Sequence, residues 1–157
     1  MTLNDLTVNF EHLKREELLS EWEWLIGNKK TPILLSASGD AFLQDASTGS
    51  VSCLDTATAE LFEVAGDISE FQELLKEQEF VANHLAVNMI EDLINNNVLL
   101  EPGKIYSYKK PPVLGGEYIL ENIEPTDIAV HFSLSGQIHY QVKDLPEGAT
   151  INDITIK

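Results

Sequence analysis

The chain has 157 residues, 43% of them hydrophobic, one cysteine, and a formal net charge of −16 from 26 acidic and 10 basic side chains. That size supports one buried core without covalent staples, and a lone Cys53 excludes an internal disulfide framework. No apolar run approaches the roughly 20 residues that span a bilayer, and the surplus negative charge opposes binding to nucleic-acid phosphates or anionic lipid. The N-terminal stretch MTLNDLTVNFEHLKREE lacks the basic-then-apolar layout of a signal peptide, which favours a cytoplasmic protein. A basic protein partner, by contrast, is steered towards such a surface.

In chain order, Lys14–Ile26 reads as an amphipathic helix with Leu18, Trp22, Leu25 and Ile26 on one face and Gly27 as its stop. Three short strands follow, at Pro32–Ser36, Ala41–Gln44 and Val51–Leu54. Turns at Ser38-Gly39 and Ala46–Gly49 separate them, and Leu61–Ala65 adds a fourth strand, the pattern of an antiparallel meander. Beyond Gly66, Ser69 and Gln72 have capping-box spacing for a helix that buries Phe71, Leu74 and Leu75. A second helix is expected over Phe80–Asn95, with Val81, Leu85, Met89 and Leu93 on its buried side and Ala82, Ala86 and Ile90 widening it. Pro102-Gly103 turns into a strand at Ile105–Tyr108, and Gly115-Gly116 leads to a last strand at Glu117–Glu121.

The stretch HFSLSGQIHYQVKDLPEG, residues 131–148, admits two readings. As a hairpin it turns at Ser135-Gly136, with Phe132, Leu134, Ile138 and Tyr140 on one face. As a helix it has the longer stripe, Val130, Leu134, Ile138, Val142 and Leu145, with a start signal in Pro125-Thr126-Asp127 and a stop in Pro146 and Gly148. A mid-helix glycine costs only about 1 kcal/mol relative to alanine, tolerable where it packs closely against a neighbour. The helix, beginning between Thr126 and His131, is the favoured reading. Nothing divides or repeats the chain. The expected fold is therefore α+β: one domain over residues 1–157, with five to six short, mainly antiparallel strands and about four helices.

The sequence carries no catalytic motif. On a helix, His131 and His139 are separated by about 12 Å and about 80° of rotation, so they cannot ligate one metal directly. His84, with Asn88 and Glu91 nearby, is a weak constellation, and Cys53 in a strand lacks a basic neighbour that would activate it. There is no nucleophile elbow, P-loop or dinucleotide fingerprint, and no metal or cofactor is expected. One asymmetry stands out. Ten acids lie between Glu60 and Glu101, opposed by Lys76 alone, and Glu70, Glu73 and Glu77 fall at i+3 and i+4 along one side of the capped helix. A solvated face explains such a row. A docking face for a basic partner is the sharper reading, which makes these three the candidate contact residues.

Several segments carry a resemblance. GDAFLQD (39–45), LDT (54–56) and FEVAGDISEFQELL (62–75) resemble the core of small bacterial immunity domains, among them the SUKH group. GKIYSYKKPPVLGGEY (103–118) and residues 131–148 resemble the C-terminal domain of type VI secretion immunity proteins, formerly a domain of unknown function. Residues 1–38 lie largely outside it. The resemblance implies a non-enzymatic protein that binds and neutralises a secreted DNase effector, with no catalytic residues to carry over and with structural roles for Gly115-Gly116 and Leu145–Gly148. The alternatives are a small hydrolase or isomerase using His131 or His139 with a nearby acid, and an orphan ligand-sensing module. A deep polar pocket around either histidine would favour the enzyme.

Overall fold

The structure, a computed structural model, describes residues 1–146 and 154–157. Its centre is an antiparallel meander whose middle strands are apolar on both faces. β3 (Ala41–Asp45) and β4 (Val51–Asp55) bury Ala41, Phe42, Leu43, Val51, Cys53 and Leu54. An alternating strand can leave one face wet; these cannot, so the sheet has to be covered on both sides. β2 (Lys30–Ser36) and β5 (Glu60–Ala65) flank them. A two-residue strand unforeseen in the sequence, β1 (Thr7–Val8), pairs with Leu35 and Ser36 to complete the order β1-β2-β3-β4-β5. Pro32 lies inside β2, opposite Leu43, but β1 reaches only Leu35 and Ser36 on the other side, so the missing N–H breaks no ladder there.

One face carries Phe42, Val51 and Cys53 against Phe71, Phe80, Leu85, Ile90 and Leu93. Leu85 lies at the junction between α5 (Gln78–His84) and α6 (Val87–Asn95), and the other covering residues come from those two helices and from α4 (Ile68–Leu74). The opposite face carries Leu35, Ala41, Leu43 and Leu54 against Leu18, Leu19, Trp22, Ile128 and Phe132. A buried aliphatic or aromatic side chain of this kind contributes roughly 1.5–3 kcal/mol relative to exposure. The second layer is built from α2 (Arg15–Leu19), a 3-10 turn over Ser20–Trp22, α3 (Glu23–Ile26) and α7 (Ile128–Val142). A short α1 (Leu3–Leu6) opens the chain. A separate pair, β6 (Lys104–Tyr108) and β7 (Ile123–Asp127), is tied to the end of β2 where Tyr106 N donates to Ala37 O at 2.9 Å. The whole is a single α+β domain.

Four expectations change. The helix cap before α4 is Asp67, whose carboxylate accepts from Glu70 N at 2.8 Å; Ser69 already lies inside the first turn. The single helix expected over Phe80–Asn95 is two, broken at Leu85-Ala86, where Ala86 is left-handed with φ +50°. Leu85 reaches the core from the break itself. Glu117–Glu121 is not a strand. A tight loop occupies that stretch, closed by Asn122, which accepts from Lys110 N and donates to Lys110 O and Glu117 O, each at 2.9 Å. The strand that pairs with β6 starts at Ile123. Finally, the Lys14–Ile26 helix is two α-turns joined by the 3-10 turn, still ended by Gly27 at φ +75°.

The disputed stretch is helical. Asp127 caps α7 by accepting from Val130 N at 3.1 Å, and Ser135-Gly136 lies mid-helix. Gly136 is there for contact: a Cβ on it would stand 2.6 Å from the carbonyl oxygen of Glu21. That approach lets Trp22 Nε1 donate to Phe132 O at 2.9 Å, locking the second layer. The helix ends at Val142, before Leu145 and Pro146; Glu147 and Gly148 of the expected stop lie outside the described residues.

Candidate functional site

Three elements converge on one buried imidazole. α7 places His131 beneath the turn between β2 and β3, beside the turn after β4, and against β6. Its Nε2 lies 2.8 Å from Gly39 O. A carbonyl can only accept, so Nε2 carries the proton and Nδ1 presents a lone pair. Ser107 Oγ, at 2.8 Å, then donates to Nδ1. Thr56 Oγ1 donates to Gly39 O at 2.7 Å and sits 3.1 Å from the same Nε2. Gly39 is required at this point, because a Cβ there would lie 2.6 Å from the imidazole and its φ is +100°.

The network extends to Asp40, which accepts from Thr56 N at 3.0 Å. Burial, then the neighbouring charge of Asp55, pushes the Asp40 carboxyl up to about 7. Burial pushes His131 down to about 4, so it is neutral at physiological pH. His139, two turns along, donates from Nε2 to Thr56 O at 2.9 Å, and burial lowers its pKa as well. Both histidines line a cleft of about 220 Å³ together with Ser107, Tyr108, Lys109 and Ser135.

Chemically the arrangement binds more readily than it reacts. Ser107 meets an imidazole acceptor, the first half of a nucleophile–base pair. The other ring nitrogen, however, faces a carbonyl where a carboxylate would stabilise an imidazolium, and burial leaves a weak base. His131 thus joins two strand turns and β6 to α7. Cys53 is buried and its thiol is pushed far up by burial, which leaves it inert. His84 packs against Phe62 and Phe80, with ring centroids 5.7 and 4.5 Å away. Among the described residues no group of three or more His, Cys, Asp or Glu side chains could hold a metal ion.

The acidic row lies elsewhere, and it is not one helix face. Glu70 sits in the first turn of α4, where its Oε2 accepts from Gly66 N at 2.9 Å. Glu73 pairs with Lys76 at 3.0 Å on the open surface. α4 ends at Leu74, so Glu77 stands beyond it, at the start of α5. All three are exposed.

Residues 65–139 match the family model described as "T6SS immunity protein Tdi1, C-terminal". Over that stretch, just under half of the chain, the sequence is similar to type VI secretion immunity proteins. The matched stretch holds Ser107, His131 and His139 as well as the acidic row, while Gly39, Asp40 and Thr56 come from the part before it. No curated protein matches the chain at a significant level. Among solved structures, the fold is similar to the "Crystal structure of Atu4351 from Agrobacterium tumefaciens", with a TM-score of 0.58 and 19% sequence identity over 80% of this chain. The chain spans 65% of that protein's length, and at such identity the likeness speaks for the fold alone.

Proposed function

We propose that this protein is a type VI secretion immunity protein that works without catalysis, in the cytoplasm, by binding and occluding a secreted toxin, specifically a basic nuclease effector. The match of residues 65–139 to the immunity family carries this reading. The net charge of −16 supports its finer part. An acidic surface steers a basic partner into encounter and offers it the charge pattern of a phosphate backbone. Glu70, Glu73 and Glu77 are the proposed contacts, Glu77 being free of any ion pair among the described residues.

The cleft over His131 favours a second reading, a small hydrolase or isomerase, through the Ser107–His131 hydrogen bond. The neutral, carbonyl-facing imidazole weighs against it. A pull-down from native lysate at low and at high salt separates the two. The immunity reading expects a basic partner that salt releases, that is toxic when expressed alone, and whose toxicity this chain relieves on co-expression. Toxicity that persists on co-expression would sink it.

A further inference from the structure

α7 carries a feature that the cleft does not use. Gln137 and Gln141 stand one turn apart, and each carboxamide pairs with the main chain of the C-terminal segment. Gln141 Oε1 accepts from Thr155 N at 2.9 Å, and its Nε2 donates to Thr155 O at 2.6 Å. Gln137 Oε1 accepts from Lys157 N at 2.7 Å, and its Nε2 donates to the main-chain oxygen of Lys157 at 3.4 Å. The segment therefore runs antiparallel to the helix. Four helical residues advance about 6.0 Å and two extended residues about 6.6–6.8 Å, so the two repeats nearly coincide over this span. A carboxamide also offers one acceptor beside one donor, the pair a peptide group offers. The two glutamines form a strand edge mounted on a helix.

Two observations indicate that this edge does not read sequence. All four bonds go to main-chain atoms, and Thr155, Ile156 and Lys157 are exposed. Alongside runs a groove of about 410 Å³, walled by Ser20, Glu21, Trp24 and Tyr140 besides the glutamines. Trp24 keeps its Nε1–H buried with no hydrogen-bond partner among the described residues, whereas a buried indole ordinarily finds an acceptor.

We propose that this face of α7 is a receptor for an extended peptide segment. The chain's own residues 154–157 occupy it at rest, and an extended segment of the effector displaces them in the complex. The effector's part in this rests on the immunity reading above. The tethered tail competes at an effective concentration of millimolar order, so an incoming segment needs contacts that the tail lacks. An acceptor for Trp24 Nε1 is the first of these.

The test uses the full-length chain with Thr155→Pro, which removes the N–H that Gln141 accepts. Two fluorescent peptides are titrated by anisotropy, one with the sequence of residues 151–157 and one of alternating threonine and valine. The variant is expected to bind both, roughly tenfold more tightly than the parent chain with its competing tail. Adding Gln137→Leu and Gln141→Leu should abolish both; should that protein not fold, Gln141→Glu, which keeps an acceptor but loses the donor, should weaken both. Binding of neither peptide, or of the tail sequence alone, overturns the proposal. So does equal affinity in parent and variant, or binding that survives the glutamine changes. No toxin enters the assay, so failure of the immunity reading leaves its result standing.

Discussion

Gly136 sets two residue-level effects against each other. Alanine is the better helix former by about 1 kcal/mol. Its methyl group would press on the Glu21 carbonyl at 2.6 Å, against backbone that cannot swing aside. Overpacking of that kind costs typically 1–3 kcal/mol, so the contact wins and Gly136→Ala should lower the urea midpoint. His131 and Asp40 also oppose one another, through protons. Between about pH 4 and 6.5 the unfolded chain protonates the imidazole that the folded one keeps neutral, so this group's contribution is lost as pH falls. Over the same range the folded protein holds the proton on Asp40 that the unfolded chain releases, so this group's contribution is lost as pH rises towards 7. The two slopes largely cancel. Asp40→Asn should therefore steepen the loss of stability on acidification relative to the parent, and His131→Gln should make stability fall from pH 4 to 7. Denaturation midpoints across that range give both signs, with amplitudes of a few kcal/mol.

At the scale of elements, the break between α5 and α6 stores a correctable cost. Ala86 at φ +50° occupies a region that costs an L-residue roughly 1 kcal/mol or more and glycine little. Ala86→Gly should raise stability by up to about 1 kcal/mol, read as a higher melting temperature. The same break shows where sequence reasoning stopped. The four-residue stripe of Val81, Leu85, Met89 and Leu93 is real, but it does not say that the chain must kink to seat Leu85 in the core. Strands β2 to β5 were legible because turn residues punctuate apolar runs, and α7 through its start signal at Asp127 more than through its stripe, of which Val130 and Leu145 are exposed and Ile138 alone is buried. Glu117–Glu121 alternates like a strand yet is held in a loop by Asn122, a contact no local pattern announces. The cleft was legible only as two histidines. Gly39, Thr56 and Ser107 reach His131 from 92, 75 and 24 residues away, and although all three lie in segments that carry the family resemblance, nothing there points to a shared imidazole.

For the whole molecule, charge acts at a distance that hydrogen bonds do not. Reversing Glu73 and Glu77 to Lys should slow association with the effector by roughly two- to tenfold at low salt and flatten its salt dependence, with little change in dissociation. Stopped-flow association at two ionic strengths measures this, and unchanged rates would move the contact surface away from the acidic row. The two-sided covering of the sheet bears on how the molecule is made. The layer with Phe71, Phe80 and Leu93 follows the meander directly in sequence and can close as soon as it has been translated. The other layer depends on Phe132, whose carbonyl holds Trp22 from 110 residues further on. At ribosomal speed that interval is roughly 5–20 s. Until it ends the nascent chain presents Leu18, Leu19 and Trp22, and Leu43 and Leu54 once they are made, without α7 over them, so the half-synthesised protein is a natural client for a ribosome-bound chaperone.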